Sequence, residues 1–321
     1  MRNKIIRELY SNPHGYISGS KLANKLGISR VAVWKHIEAL KKKGYNIEGT
    51  SGKGYRIKNP GNVWLLEELE VKLAHNSMIN KILFYPKTDS SNQIAKQMLS
   101  ENKDIPGTLI IAGNQTKGRG RRGRSWESPP GGLWFSLILS PRLALQQTAL
   151  LSLVFAVAVA EALDNFLPGA CQIKWPNDVY CRGKKIAGIL LEVTGEVDLA
   201  ESLIVGVGIN ANVKAEMLTL QTSQAATSLL EETNKACSLE EVLVTVLSSM
   251  EKSYHQFQHD GFGHILEEFK KRCCHLGKDI VIELSGERVM GKNVDIDHQG
   301  NLLICVNGQI QHLATGDVKL I

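Results

Sequence analysis

None of the six cysteines (Cys171, Cys181, Cys237, Cys273, Cys274 and Cys305) falls in a C-x-x-C pair or at zinc-ligand spacing. A disulfide framework and a structural zinc site are therefore both unexpected, and free thiols imply a reducing compartment. The Met1 region lacks the apolar core of a signal peptide. The longest apolar run, residues 149–160, is broken by Ser152 and falls short of the roughly 18 to 20 residues that span a bilayer. The expected location is cytoplasmic, without membrane contact. G-x-S-x-G, H-E-x-x-H and the Walker lysine loop are missing as well, which removes three common catalytic centres. The nine histidines are scattered, and one such as His36 reads as surface or structural. Internal repeats and low-complexity segments are absent.

What is present is enough apolar material, 43% of 321 residues, for cores in two or three domains. The net charge of +6 is spread unevenly. Residues 1–60 hold 13 Lys and Arg against Glu8, Glu38 and Glu48, a local charge of +10; the other 261 residues hold 25 cations against 29 carboxylates, or −4. A small basic unit on a mildly acidic body reads as a nucleic-acid module joined to something else.

Residues 2–10 read as a helix, Asn12-Pro13-His14-Gly15 as a turn, and residues 20–26 as a second helix with Leu22, Ala23 and Leu26 inward. After the turn Gly27-Ile28-Ser29, Ser29 is a good N-cap for a third helix over residues 30–43, whose Val33, Ile37 and Leu40 repeat at i, i+4, i+7. That spacing turns Arg30, Val31, Trp34, Lys35 and Glu38 outward. Two helices across a tight glycine turn, the second basic outside, make a helix-turn-helix whose second helix enters a major groove. Residues 46–49 and 55–57 flank the turn 50–54 and read as a wing with Lys53 at its tip. Candidate DNA contacts are Ser20, Lys21, Ser29, Arg30, Val31, Trp34, Lys35 and Lys53. Trp34 either meets a thymine methyl or deoxyribose or tucks against the wing. The plainer alternative, a helical protein-interaction module, needs charge, turn spacing and wing to coincide by accident. Asn59-Pro60-Gly61 reads as a linker.

Residues 64–73 then read as a connecting helix and 82–85 as a strand. Thr88-Asp89-Ser90-Ser91-Asn92 precedes a helix over 93–99, and either caps it or presents small polar groups to a neutral ligand. Strands are expected at 108–113, 132–139, 173–180, 186–192 and 202–207, with a turn at 181–185 and helices at 145–166, 225–257 and 263–275. This alternation suggests a mixed sheet. Short strands at 280–284, 289–293, 301–306, 310–313 and 318–321, parted by Ser285-Gly286, Gln299-Gly300 and Asn307-Gly308, suggest a small barrel of SH3-like size. The expected fold class is α+β: an N-terminal winged helix-turn-helix over residues 1–60, a central mixed-sheet domain with flanking helices over 64–275, and a C-terminal SH3-like β-barrel over 277–321.

Between two of the strands lies Gly118-Arg119-Gly120-Arg121-Arg122-Gly123-Arg124-Ser125-Trp126. Glycines let backbone N–H groups turn to an anion, guanidinium forks bind phosphate or carboxylate oxygens, and the tryptophan can stack on a flat ring. A dinucleotide fingerprint must open a helix, and here Ser128-Pro129-Pro130-Gly131-Gly132 follows instead. An RGG-like tail is at odds with the clasping strands, and a merely solvated basic loop is the bland remainder. With a lysine on a nearby strand and the Lys174-Trp175-Pro176-Asn177-Asp178 segment, the loop suits attack on an α-phosphorus. The charge on a pentacoordinate phosphoryl group must be met by fixed cations, and a carboxylate held there would become an acyl adenylate.

The loop, Lys174-Trp175-Pro176-Asn177-Asp178, Lys185-Ile186-Ala187-Gly188-Ile189-Leu190 and Gly206-Val207-Gly208-Ile209-Asn210 resemble the bacterial biotin–protein ligases. With the winged helix, the resemblance covers essentially the whole chain in the domain order of that family's bifunctional ligase/repressors. It implies that Ser90, Ser91 and Asn92 bind the ureido head of biotin with Gln115, and that Arg119, Gly120 and Arg121 cover the valeryl carboxylate. Lys185, rather than Lys184, would bind that carboxylate and the reacting phosphate, giving Lys185, Arg121 and Arg119 as the catalytic set. Gly118, Arg122, Arg124, Trp126, Lys174, Asn177, Asp178 and Asn210 would form the ATP and adenylate side. There Trp126 stacks on adenine, Asn210 meets its edge, and Lys174 and Asp178 place ATP with its Mg²⁺; no dedicated protein metal site is implied. Arg121 matches the arginine associated with retaining the adenylate.

The implied reaction makes biotinoyl-5′-AMP from biotin and ATP, then transfers biotin to a lysine of biotin carboxyl carrier protein. The intermediate is also the corepressor, favouring a homodimer on palindromic operator DNA of the biotin operon. Three other readings stand beside this one. A biotin-responsive repressor lacking ligase activity is opposed by Lys185 and the arginine loop. A lipoate or other acyl ligase is opposed by the Lys174–Asp178 segment and by Ser90, Ser91 and Gln115. The third is a biotin ligase without regulatory DNA binding. Trp34 is bulkier than the resemblance suggests for its outward position, which leaves the operator sequence open.

Overall fold

A computed structural model describes residues 1–12, 15–42, 45, 47–57, 64, 66–101, 105–141, 143–194, 201–218, 225–284 and 287–320. Pro13 and His14 of the first expected turn, Lys43, Asn46, the Asn59-Pro60-Gly61 linker, the Ser285-Gly286 turn and Ile321 lie outside the described residues.

The N-terminal unit comprises α1 (Arg2–Tyr10), α2 (Gly19–Leu26), α3 (Arg30–Lys42) and the hairpin β1 (Ile47–Thr50) and β2 (Gly54–Ile57). Ser18, one residue ahead of α2, accepts the Lys21 N–H at 3.1 Å, and Ser29 does the same for Ala32 at 3.1 Å. Such caps are worth about 1 kcal/mol each. Gly27 ends α2 in the left-handed region, φ 65°, where a side chain would be strained. Ile5, Ile6, Leu9, Leu22, Val33, Ile37, Leu40 and Ile57 close one core, and the wing pairs Ile47 with Ile57. Trp34 is 52% exposed, so of its two expected placements the structure shows the outward one.

The central unit comprises α4 (Leu66–Lys72), β3 (Lys81–Tyr85), α5 (Ser91–Glu101), β4 (Thr108–Ala112), β5 (Leu133–Leu139), α6 (Leu145–Asp164), β6 (Cys171–Lys174), β7 (Asp178–Cys181), β8 (Lys184–Thr194), β9 (Ser202–Ile209), α7 (Leu229–Thr233), α8 (Leu239–Asp260) and α9 (Gly263–Arg272). Its seven strands run β3-β4-β5-β9-β8-β7-β6, with β3 parallel to β4 and the other pairs antiparallel, a mixed sheet as expected. Side chains alternate across it. Leu109, Ile111, Phe135 and Leu137 join the core with α6 and α8, while Ile110, Ile138 and Ile204 pack with Ala95 of α5. Each large apolar side chain fully buried this way contributes roughly 1.5–3 kcal/mol. The same alternation puts Ser136, in the middle of β5, on the α5 face.

Several local expectations change. Residues 173–180 are two strands rather than one, since Pro176 offers no N–H to a ladder and the chain doubles back, pairing Lys174 with Asp178. The Trp175–Pro176 peptide is cis. The turn expected over 181–185 is tighter, so Lys184 and Lys185 already belong to β8. Helix α5 starts at Ser91, which brings Ser91 and Asn92 into its first turn. The helix expected over 225–257 is two helices: Asn234 is left-handed (φ 55°), and Ser238 opens α8 by accepting the Glu241 N–H. Helix α6 ends at Asp164, two residues before the expected end at 166. Its Gln147–Asp164 stretch has the length and hydropathy of a membrane span, and 67% of that stretch is buried inside the protein as core.

The C-terminal unit is an antiparallel sheet of β10 (Asp279–Leu284), β11 (Glu287–Ile296), β12 (Leu302–Val306), β13 (Gln309–Leu313) and β14 (Asp317–Leu320), in the order β13-β12-β11-β10-β14. The expected five strands are there. Among the described residues, no pairing of edge strands β13 and β14 closes them into a barrel. Ile280, Ile282, Leu302, Ile304 and Val318 join the main core, so this unit is welded to the central one.

Candidate active site

A cavity of about 390 Å³ opens between the sheet, the arginine loop and β14. Of the residues expected in the site, Ser90, Ser91, Asn92, Gln115, Arg119, Gly120, Arg121, Arg124, Trp126, Lys174, Asn177, Asp178 and Lys185 line it. Gly118, Arg122 and Asn210 do not. The arginine loop folds into a small hairpin: Gly120 N–H donates to Arg124 carbonyl at 2.8 Å and Trp126 N–H to Gly118 carbonyl at 2.9 Å.

One end of the cavity is neutral. The Ser91 N–H donates to Gln115 Oε1 at 2.7 Å, and Gln115 Nε2 donates to Ser128 Oγ at 2.8 Å. Ser91 and Asn92 both lie within hydrogen-bond distance of Ser136, which is fully buried. The small-residue cluster at the start of α5 thus also bonds across to β5 and to Gln115. Its hydroxyls and amides form a connected chain, as a fixed polar pocket for an uncharged group requires.

The other end is cationic. Lys185 Nζ lies 2.7 Å from Asp178 Oδ1 and 5.0 Å from the centre of the Trp126 ring. Lys174 is 7% exposed, with its ammonium 5.1 Å from the centre of the Tyr180 ring. Burial lowers its pKa, the Asp178 charge working against this and that of Lys185 with it. Arg121 donates to Asn177 Oδ1 at 3.0 Å, and burial lowers its guanidinium pKa too. The Trp126 indole lies against Gly188 and Gly208, which face each other across β8 and β9. A Cβ at Gly208 would come within 2.6 Å of the indole nitrogen, and one at Gly188 within 3.1 Å of the ring.

The Lys174–Asp178 turn is held from behind. Trp175 N–H donates to His275 Nε2 at 3.0 Å, and the Trp175 indole N–H to Gly300 carbonyl at 2.9 Å. Burial pushes the His275 pKa down to about 4, with help from the Lys174 and Lys278 charges. Arg122, which does not itself line the cavity, meets with Arg124 the cavity residue Asp317 at 3.0 and 2.6 Å. Burial alone would raise the Asp317 pKa; the hydrogen bond from Arg122 and the charges of Arg124 and Arg121 outweigh it and hold this carboxyl below its ordinary value. The Asn210 amide donates to Thr227 and Lys185 carbonyls at 2.9 and 3.4 Å, and its oxygen is buried without a hydrogen-bond partner. Ser20, Lys21, Ser29, Arg30, Val31, Trp34, Lys35 and Lys53 are all exposed on the N-terminal unit.

Ser136, Glu192, His275 and Asp317 are the site's supports that sequence reasoning passed over. Ser136 alone had a local mark, as the one hydroxyl in an otherwise apolar strand.

A neutral pocket running into a cluster of cations, on a mixed sheet that carries a helix-turn-helix, defines an acyl-activating ligase with a DNA-binding module. Family models agree with each unit: a biotin/lipoate A/B protein ligase family over residues 84–210, an HTH domain over 1–56, and a biotin protein ligase C-terminal domain over 275–320. The chain is 37% identical to the bifunctional ligase/repressor BirA of Bacillus subtilis over 99% of its own length and 98% of the relative's. Against the Escherichia coli protein of the same name it is 30% identical, covering 94% of this chain and 92% of that one. Its fold matches the biotin protein ligase of Aquifex aeolicus in complex with biotin and ATP, with a TM-score of 0.65 and 32% identity over 76% of this chain and 99% of that one. The chain belongs to the biotin–protein ligase family, among its bifunctional ligase/repressors.

Proposed function

We propose that this protein makes biotinoyl-5′-AMP from biotin and ATP, transfers biotin to a lysine of biotin carboxyl carrier protein, and represses the biotin operon with the adenylate as corepressor. The observation that carries the ligase reading is the meeting of a neutral hydroxyl–amide pocket and a cationic cluster in one cavity of about 390 Å³. In this reading Ser90, Ser91, Asn92 and Gln115 hold the ureido ring. Lys185 reaches the carboxylate and the α-phosphate as charge builds there, and Arg119 and Arg121 cover them and exclude water. Arg124, Lys174 and Asn177 lie on the phosphate side, and Trp126 and Asn210 on the adenine side.

Among the described residues no group of three or more His, Cys, Asp or Glu can hold a metal alone. A single cavity carboxylate such as Asp178 suits a Mg²⁺ that arrives on ATP phosphates, where it would neutralise their charge. The domain limits that follow are 1–60, 64–275 and 277–321, with a cytoplasmic location and a homodimer on operator DNA when liganded.

The decisive test is radiolabelled biotin with ATP and a carrier domain: transfer to the carrier lysine is expected, and none would sink the ligase reading. Competition of biotin against lipoate in pyrophosphate release separates the two acyl classes. Gel shifts with the upstream region of the host's biotin synthesis genes, at several salt concentrations and with or without biotin plus ATP, test the repressor half. Arg121→Gly removes a half-buried guanidinium bonded to Asn177, and is expected to release adenylate roughly tenfold faster or more. Labelling of free lysine-rich protein reads that leak.

A further inference from the structure

Ser136 Oγ lies 2.7 Å from Ser91 Oγ and 2.5 Å from Asn92 Oδ1. Both are hydrogen-bond distances between oxygens, so each contact needs a hydrogen, and the Ser136 hydroxyl has one. The Asn92 amide settles where it goes. Its Nδ2 donates to Glu192 Oε2 at 2.8 Å, while the other Glu192 oxygen takes Lys96 Nζ at 2.7 Å. An ionised carboxylate only accepts, so the amide NH₂ must face Glu192 and the amide oxygen must face Ser136. Ser136 therefore gives its hydrogen to Asn92, and the hydrogen between the two serines comes from Ser91.

The consequence lies in the cavity. Ser91 has spent its hydroxyl hydrogen and presents only lone pairs, while Gln115 Oε1, 3.1 Å from that hydroxyl, is served by the Ser91 backbone N–H at 2.7 Å. Ser91, Asn92 and Ser136 are each at most 5% exposed, so solvent does not scramble the order. A Cβ at Gly206 would collide with the Asn92 amide, so β9 leaves room for the amide in this place.

We propose that the Lys96–Glu192 ion pair, acting through Asn92 and Ser136, fixes Ser91 as a hydrogen-bond acceptor and so makes this end of the cavity select a ligand that offers an N–H. The proposal rests on the cavity being the biotin site, and adds which ring group is read and by what. Glu192 and Lys96 are positioning residues; neither lines the cavity. A ureido ring satisfies the site with its N–H. An analogue with ring oxygen in that place sets lone pair against lone pair.

The test reverses the ion pair in the full-length chain. In the double variant Lys96→Glu/Glu192→Lys the pair survives, but an ammonium at position 192 draws the Asn92 oxygen to itself and turns the NH₂ to Ser136. The Ser91 hydrogen is then released into the cavity. Calorimetric binding and steady-state kinetics should show biotin affinity and KM weakened roughly ten- to hundredfold, with KM for ATP and the melting temperature unmoved. Glu192→Gln, which can still accept from Asn92, should restore most of that affinity. Wild-type affinity in the reversed pair, or a Glu192→Gln variant as weak as it, overturns the relay. If the double variant does not fold, the unmodified protein still decides: a carbamate analogue with ring oxygen for N–H should bind about a hundredfold more weakly than biotin, and equal binding overturns the relay. Failure of the unmodified protein to bind biotin at all would instead remove the biotin reading, and the proposal with it.

Discussion

The two ends of the cavity solve opposite problems. At the neutral end, Gln115, Ser91, Ser136 and Asn92 are linked by hydrogen bonds, the last three of them buried, and their charged support, Lys96 with Glu192, stands one side chain away. At the cationic end Lys185, Lys174, Arg121 and Arg124 converge, with Lys185 ion-paired to Asp178 and Arg124 to Asp317. The first end recognises by direction, since a hydroxyl that can only accept rejects the wrong atom. In the proposed reaction the second works by charge held in place beforehand, which meets the negative charge as it builds on the reacting phosphoryl group and the leaving pyrophosphate. Selectivity and rate are thus separable along one cavity.

The largest expected break falls at the cationic end. Lys185→Ala should lower kcat/KM for biotin-dependent pyrophosphate exchange by about 10³-fold, typical for loss of a group facing developing charge, while biotin binding weakens far less. Equal losses in both would merge the two ends. Next comes acid. His275 is held neutral near pH 7 and its pKa falls from 6.5 to about 4, so the unfolded chain binds the extra proton between those values. Stability is present above pH 6.5 and is lost as pH drops toward 4, on the order of 3 kcal/mol if the full shift is realised. Melting temperature against pH for His275→Asn should be flatter over that window, and KM for ATP should rise before KM for biotin.

Ser136→Ala probes the neutral end and should raise KM for biotin about tenfold with kcat and KM for ATP kept. The smallest effect is expected from Asp317→Asn. Both its arginines are over a third exposed, so solvent screening leaves a change of only a few-fold in KM for ATP, smaller still at high salt. Salt alone sharpens the contrast, weakening ATP binding while biotin binding holds.

Much of this was legible in the chain. The arginine loop, the Lys174–Asp178 segment and Lys185 are contiguous motifs whose chemistry needs no partner to be read, and the winged helix announces itself by charge and glycine turns. What stayed hidden depends on distance along the chain. Arg122 and Arg124 meet Asp317 across 195 and 193 positions, and Trp175 meets His275 across 100. No periodicity encodes such contacts. Residues 173–180 read as one strand because Val179 and Tyr180 favour strands, yet Pro176 overrules them by withholding a ladder hydrogen bond. Asn234 broke an expected helix in the same way, through one left-handed residue.

The indole of Trp126 resting on Gly188 and Gly208 has a consequence for how the sequence can drift. A side chain at Gly208 collides with the ring, one at Gly188 presses on it, and a smaller residue at 126 leaves two bare strands facing a hole. Three codons in separate parts of the gene are therefore tied into one heritable unit. Neutral variation at any one of them is closed unless the others change with it, so a saturation library should tolerate these positions jointly or not at all.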